Sequence, residues 1–228
     1  MKISIIIPVF NEQNTIVHLL EKVNEQKNKF DLEIIVVDDC STDDTPILIQ
    51  SNIKLVDEFY MLDKNLGKGG AVSKGLELAN GDYILFQDGD LEYNPNEYYK
   101  IIEVFDKFNA DLVIGSRFLA PNYVRVHYFW HSIGNKFITF LFNILFNTTF
   151  TDIYTCYLGF RRDLIDYKKL KHFGWSQQAE ILGTIVKKGS IFYEVPISYA
   201  GRSYSEGKKI RAINVISVIF TIIKKRLF

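Results

Sequence analysis

The sequence predicts an α/β fold, a mostly parallel β-sheet flanked by helices, on three observations. Four short runs in the first half, Ile3–Val9, Leu32–Val37, Tyr83–Phe86 and Asp111–Ile114, are β-branched and almost continuously apolar. Continuous rather than alternating runs suit strands buried on both faces, as in a parallel sheet. Between them lie stretches of helical pattern, Glu12–Asn28, Asp43–Ser51, Lys68–Ala79 and Asn96–Phe108. Strand–helix–strand alternation implies right-handed crossovers. Each run also ends in a polar cluster, and open α/β sheets bind ligands outside the carboxyl ends of their strands.

Taken in order, the first run passes into Pro8-Val9-Phe10-Asn11-Glu12. The second ends in Asp38-Asp39; behind it Thr42, Asp43 and Asp44 suit the cap and first turn of a helix. The third helical stretch opens on Asn65-Leu66-Gly67-Lys68-Gly69-Gly70. This is not a P-loop and lacks the dinucleotide spacing, yet a lysine at a helix N-terminus can meet a diphosphate. The third run ends in Gln87-Asp88-Gly89-Asp90-Leu91-Glu92, the fourth in Gly115-Ser116-Arg117. Four polar endings on one edge predict a single crevice.

The second half changes character. Val126–Phe150 is aromatic and aliphatic, led by Tyr128, Phe129 and Trp130 and broken by Asn135, Lys136, Asn143 and Asn147. It reads as one or two amphipathic helices at a bilayer surface. Tyr157–Arg161 and Ile191–Val195 each suit a further strand, and Gln178–Lys188 a helix. Gly201–Lys209 is a polar, basic loop. Ala212–Ile223 is apolar and is followed by Lys224, Lys225 and Arg226, which suit anionic head groups. With no repeat or linker, the expectation is one domain over residues 1–228. No apolar stretch reaches the roughly 20 residues of a membrane span, and the N-terminus has no secretory h-region.

Composition narrows the function. Lys+Arg and Asp+Glu both number 27, so the basic excess of a dedicated nucleic-acid binder is missing. The 47% hydrophobic content provides a full core and excludes disorder. Two cysteines, Cys40 and Cys156, make no disulfide framework, and a cytosolic setting follows. Cys40 has no base partner for nucleophilic work. His127 and His131 stand four apart without the glutamate of a zincin, which suits packing or interfacial roles.

Asp88-Gly89-Asp90 is the chemically pointed segment. Two carboxylates flank a glycine that lets the backbone turn sharply or approach a ligand closely. Carboxylates without His or Cys favour a hard cation, Mg²⁺ or Mn²⁺, over zinc. Such an ion completes its shell with phosphate oxygens and water, so a metal-bound diphosphate is the natural ligand.

With these residues in place, the chain resembles glycosyltransferase family 2, inverting enzymes of GT-A (Rossmann-like) fold, and within it the dolichol-phosphate mannosyltransferase-like subgroup. SIIIPVFNE, VVDD, NLGKGGAV, GDYILFQDGDLE, GSRF, TD, CYLGFRRDLI and YEVPISYAGRSYSEGKK carry the likeness over nearly the whole chain. The resemblance implies a nucleotide-sugar donor, GDP- or UDP-linked, with Pro8, Phe10 and Glu12 at its base and ribose. Val37 and Asp39 would contact the base, and Lys68 lies on the loop near it. Asp88, Gly89 and Asp90 would take the diphosphate, and Asp88, Asp90 and Glu92 the metal. Arg117, with Arg125 and Ser132, would face an acceptor phosphate, Asp90 and Arg117 being the catalytic pair. Arg202 and Lys208 would close over the donor diphosphate. Residues 1–117 would then be the donor half, 118–200 the acceptor half with the interfacial helices, and 201–228 the closing loop and C-terminal helix. Three departures stand out: Glu92 where relatives often have Gln, Phe10 where they often have Tyr, and Gln177–Glu180, which keeps only the last glutamate of an aromatic-Glu-Pro-Glu run.

The implied reaction is in-line displacement at an anomeric carbon. A phosphate monoester is already dianionic near neutral pH and needs no base, whereas an alcohol does. Arg117 and Arg125 suit phosphate, which points to polyprenyl phosphate and peripheral membrane contact. A glycan hydroxyl is the alternative acceptor, with Glu180 or Asp152 as base. A sugar-phosphate nucleotidyltransferase would need a glycine-rich N-terminal loop with arginine, which Pro8–Glu12 is not. A non-catalytic binding module would not need the charged set Asp88, Asp90, Arg117, Arg202 and Lys208.

Overall fold

A computed structural model describes residues 1–119, 129–171, 174–201 and 213–227. In chain order the elements are β1 (Ile3–Val9), α1 (Ile16–Glu25), β2 (Leu32–Asp38), α2 (Thr45–Ser51), β3 (Glu58–Met61), α3 (Lys68–Leu78) and β4 (Tyr83–Phe86). There follow α4 (Tyr98–Phe108), β5 (Leu112–Ser116), α5 (Phe129–Phe146), β6 (Leu158–Arg161), α6 (Ser176–Lys188), β7 (Phe192–Pro196) and α7 (Ile213–Leu227). Among the described residues the strands form one sheet of seven, ordered β3-β2-β1-β4-β6-β5-β7. β6 alone runs antiparallel to its neighbours; the other pairings are parallel. This is the mixed, mostly parallel sheet that the sequence predicts.

The burial pattern explains the strand choice. Every residue of β1, β2, β4 and β5 is buried. Full burial of one Val, Leu or Ile stabilises by about 1.5–3 kcal/mol, so these runs nucleate the core. Helices cover them with periodic faces: Ile16, Leu19, Leu20 and Val23 on α1, and Tyr98, Ile101, Ile102 and Phe105 on α4. β3 was not expected. It is an edge strand of sequence Glu-Phe-Tyr-Met, largely exposed, and so lacks the apolar signature of a buried strand. α2 starts at Thr45 rather than Asp43; Asp43 instead accepts hydrogen bonds from Thr45 N at 3.0 Å and Gln13 N at 3.3 Å.

Direction fixes where chemistry can gather. β1, β2, β4, β5 and β7 all finish on one edge, at Val9, Asp38, Phe86, Ser116 and Pro196. β6, being reversed, starts there, so the segment before Leu158 arrives at the same edge. α6 returns to the start of β7, which places its own N-terminus on that edge too.

α5 and α7 pack against each other, and α7 also against α6. Their outer faces are apolar. Phe129, Ile133, Phe137, Phe140 and Ile144 are exposed along one stripe of α5, and Ile216, Phe220, Ile223 and Leu227 along one of α7. Asn143 does not form a polar face: it closes the end of α5, accepting from Phe150 N at 3.0 Å and donating to Phe150 O at 2.8 Å. No described helix is long and apolar enough to cross a membrane.

On the opposite, amino edge of the sheet, Glu33 ties three segments together. It accepts from Ser4 Oγ at 2.5 Å, Asn80 N at 2.8 Å and Lys2 Nζ at 2.9 Å. Burial alone would push its carboxyl up, but these bonds outweigh it and hold the pKa at about 2. A carboxyl held below its unfolded value of about 4.3 stabilises the fold above that pH and stops doing so as pH falls through the folded value. Glu33→Gln should therefore lose about 1–3 kcal/mol in urea unfolding at neutral pH. The gap to wild type should close between about pH 5 and about pH 2; a gap independent of pH would refute this account.

Candidate active site

At the end of β1, Asn11 takes a left-handed conformation, φ 54°, which asparagine tolerates better than most residues. Its Oδ1 accepts from Thr42 N at 2.8 Å, and its N–H donates to Ser41 Oγ at 2.9 Å. Asp38, wholly buried, holds Ser41 through both carboxylate oxygens, at 2.5 and 2.9 Å. The two aspartates after β2 thus divide their work: Asp38 stitches the β1 and β2 loops, and Asp39 faces the next loop. Val37 lies opposite Pro8 in the sheet register. Phe10 and Glu12 are half-buried at the rim, Glu12 accepting from Thr15 Oγ1 at 3.0 Å.

Asp39 Oδ1 accepts from Leu66 N at 2.7 Å, and its carbonyl from Asn65 Nδ2 at 3.1 Å. Burial pushes its carboxyl above the ordinary aspartate value, while hydrogen bonds from Leu66 and Gly67 pull the other way. Gly67 has φ 79°, a backbone position open to glycine at little cost, and α3 begins directly after it. The loop therefore points Lys68 across the cleft, where its ammonium pairs with Asp88. Desolvation works against that charge, but the Asp88 carboxylate holds the ammonium above its ordinary pKa.

The turn after β4 is packed against β1. A Cβ on Gly89 would stand 3.2 Å from Val9 Cγ2 and 3.3 Å from Pro8 O, so the glycine permits a close approach. Gln87 anchors the turn: its Oε1 accepts from Tyr98 OH at 2.9 Å and Tyr157 OH at 3.0 Å, and its Nε2 donates to Asp88 O at 3.0 Å. Asp90, almost buried, accepts from Glu92 N at 3.0 Å. Glu92 is turned to Tyr199, whose hydroxyl donates to it at 2.6 Å.

Arg117 is held rather than loose. Its Nε and Nη2 donate to the two oxygens of Asp152 at 2.7 and 2.8 Å, and Nη2 also to Tyr154 O at 3.1 Å. Asp152 is fully buried, and Glu194 on β7 fixes its turn by accepting from Thr151 N at 2.9 Å. The guanidinium carbon lies 5.1 Å from the centre of the Tyr199 ring, within cation–π range. Asp152 thus cancels most of the charge of Arg117 and leaves a rigid hydrogen-bond donor.

Cys156 was not expected here. Its N–H donates to Tyr93 OH at 3.0 Å. Burial, and then the neighbouring Asp88 carboxylate, push its thiol well above the ordinary value, so it stands beside Asp88 as a neutral S–H. Tyr93, Tyr98, Tyr157 and Tyr199 complete the aromatic backing of the edge. No spacing in the sequence marks these residues, because contacts between strands bring them together. Both base candidates are engaged: Asp152 by Arg117, and buried Glu180 by Lys171 N at 2.9 Å and Lys225 Nζ at 3.3 Å on α7. Ser132 is half-buried near the start of α5. Arg125, Arg202, Lys208 and His127, and the side chain of His131, lie outside the described residues.

Among the described residues no three His, Cys, Asp or Glu side chains converge as a metal cage. The donor set present, Asp88 and Asp90 with an uncharged thiol beside them, fits a hard cation that draws its remaining ligands from phosphate and water. A cleft of about 410 Å³ lined by Lys22, Leu91, Glu92, Asn96 and Tyr199 lies next to this group but takes in none of Lys68, Asp88, Asp90 or Arg117. A larger groove of about 740 Å³ lies at the opposite edge. Its arginines are spent internally, Arg161 on Asp163 at 2.7 Å and Arg162 on Gly81 O at 2.8 Å, which makes it the poorer ligand site.

Removing one partner of a buried ion pair strands the other, at a cost of about 3–5 kcal/mol. Asp152→Ala should lose that much in urea unfolding, whereas Glu103→Ala, which breaks the exposed pair with Lys107, should lose less than about 1 kcal/mol. Equal losses would mean that the Arg117 pair is not the buried tie described.

Comparison with known proteins follows the same lines. A dolichol-phosphate mannosyltransferase of Pyrococcus furiosus is 29% identical over 211 residues, covering 91% of this chain. The chain spans only 59% of that relative's length. An undecaprenyl-phosphate 4-deoxy-4-formamido-L-arabinose transferase of Proteus mirabilis is 26% identical over 228 residues, covering 96% of this chain and 67% of the relative. Among solved structures, glucosyl-3-phosphoglycerate synthase from Mycobacterium tuberculosis matches with a TM-score of 0.75 at 18% identity, over all of this chain and 80% of that one; the likeness is one of fold. The family model for glycosyl transferase family 2 matches residues 4–167. That span holds the Asp88–Asp90 turn, the Lys68 loop and the Arg117–Asp152 pair, and with it the chain belongs to glycosyl transferase family 2.

Proposed function

We propose that the protein is a metal-dependent, inverting sugar transferase that moves a sugar from a GDP- or UDP-linked donor to a polyprenyl phosphate. The observation that carries this is the meeting of Lys68, Asp88 and Asp90 on the sheet edge, with the fixed Arg117 two strands further along it. Phe10 and Asp39 stand at the β1 and β2 end of that edge, on the side proposed for the nucleotide, with Pro8 and Val37 buried behind them. Asp88 and Asp90 would hold Mg²⁺ or Mn²⁺, with Glu92 beside them. Such an ion supplies charge to stabilise a departing diphosphate. Lys68, paired with Asp88 here, would lie within reach of a phosphate oxygen of a donor held there. Arg202 and Lys208 are proposed to serve the same diphosphate.

The acceptor reading rests on three supports. Two relatives bear names of transferases acting on dolichol or undecaprenyl phosphate. Arg117, its fork fixed by Asp152, presents a preorganised donor for a phosphate oxygen, and Arg125 and Ser132 are proposed to join it. Asp152 and Glu180, the candidate bases for an alcohol, are already bonded. A dianionic phosphate needs none. The apolar stripes of α5 and α7, with Lys136, Lys224 and Arg226 on the same helices, support a face that rests on an anionic membrane surface; Lys225 is turned to Glu180.

Two measurements test this. UDP- and GDP-sugars should release nucleotide only with Mg²⁺ or Mn²⁺ and polyprenyl phosphate both present. Asp90→Ala should cut release on the order of 10²–10³-fold with an unchanged urea midpoint; turnover retained in that variant removes the metal assignment. Phe137→Ser with Phe220→Ser should weaken co-sedimentation with anionic phospholipid vesicles by roughly tenfold or more. Unchanged sedimentation would move the membrane face elsewhere.

A further inference from the structure

Two buried polar side-chain atoms in the described residues have no hydrogen-bond partner: Thr155 Oγ1 and Gln177 Nε2. Thr155 is 0% exposed and Gln177 4%. Native proteins rarely leave buried donors unpaired, and each case calls for an explanation. Thr155 is in the segment that arrives at the carboxyl edge before β6, and its neighbour Cys156 borders Asp88. Gln177 is in the first turn of α6, whose N-terminus meets the same edge. The two segments touch: Gln178 Nε2 donates to Thr155 O at 2.5 Å and to Ile153 O at 3.0 Å.

Strand order says what reaches them. Along the edge the strands run β2, β1, β4, β6, β5. A nucleotide-sugar is itself linear: base, ribose, diphosphate, sugar. On the donor reading above, on which this inference rests, the base lies at β2 and β1 and the diphosphate at the Asp88–Asp90 turn after β4. The next station, entered by the segment before β6, is where the sugar must lie, and Arg117 after β5 stands beyond it. A sugar carries hydroxyls that both donate and accept, the complement of a threonine hydroxyl and an amide N–H. We propose that Thr155 and Gln177 hydrogen-bond the hydroxyls of the transferred sugar and thereby help select which sugar the enzyme takes. Their missing partners belong to the substrate.

The test compares affinities in the presence of Mn²⁺ for UDP and GDP with those for UDP-glucose, UDP-N-acetylglucosamine and GDP-mannose, by calorimetry. The quantity of interest is the gain in affinity that the sugar adds to its nucleotide. In Thr155→Val, which keeps the shape and removes the hydroxyl, and in Gln177→Met, that gain should shrink by roughly three- to tenfold for the preferred donor. Affinity for the bare nucleotide should stay within about twofold in both. Thr155→Val should be at least as stable as wild type without ligand, because it deletes an unpaired group; it therefore carries the test if Gln177→Met fails to fold. An undiminished gain in Thr155→Val, as expected if an internal water serves these atoms, overturns the proposal. So does equal weakening of nucleotide and nucleotide-sugar, or a wild type to which no sugar adds affinity. A wild type that binds no nucleotide at all overturns the donor reading itself.

Discussion

The site depends on a shared direction. Six of the seven described strands run the same way, and a parallel sheet delivers the ends of its strands to one edge. The strand bodies are buried on both faces, so the first polar residue each chain segment can afford comes where the strand stops. Asp39, Gln87–Glu92 and Arg117 therefore share one edge though they lie far apart in sequence. That shared placement follows from the hydrophobic demands on Ile3–Val9, Leu32–Asp38 and Leu112–Ser116.

Gathering carboxylates on one edge creates an electrostatic problem, and the chain answers it twice. Lys68 is brought to Asp88 by a loop clamped on Asp39. Arg117 is brought to Asp152 by the start of the segment that leads into β6. The first pair is half-exposed and exchangeable; the second is buried and fixed. Around both, tyrosines supply hydroxyls to groups that would otherwise be unsatisfied: Tyr98 and Tyr157 to Gln87, Tyr199 to Glu92, Tyr93 to the amide of Cys156. A carboxylate site of this kind is costly to empty of partners, which is why the aromatic shell is so fully hydrogen-bonded.

Much of this arrangement is legible in the sequence, for a definite reason. Buried parallel strands leave continuous apolar runs, and the polar cluster behind each run marks the edge. Asp88–Asp90, Lys68 and Arg117 are visible that way. β3 is not, because an exposed edge strand has no apolar run to show. Nor are the partners: nothing near Asp152 in the sequence points to Arg117, thirty-five positions away, and nothing near Cys156 points to Asp88. Such pairings are set by sheet order, and the reversed insertion of β6 between β4 and β5 is not encoded in local pattern. The amphipathic character of α5 and α7 is legible in the sequence, but Asn143, which interrupts the apolar run, is a clasp for the helix end rather than a solvent-facing group.

The reversal of β6 has a consequence for how such a chain diversifies. On the proposed reading, the frame formed by β1, β2 and β4 would meet the donor through strand tips and tight turns, where the contact of Gly89 with Val9 and Pro8 leaves little room for change. The residues on the far side arrive on one descending stretch, Thr151 to Tyr157, together with the opening turn of α6. Mutations there alter a separate segment of the edge without disturbing β1, β2 and β4. If the proposed donor site is right, new substrate preference can evolve along that stretch while the strand ends before it are inherited unchanged.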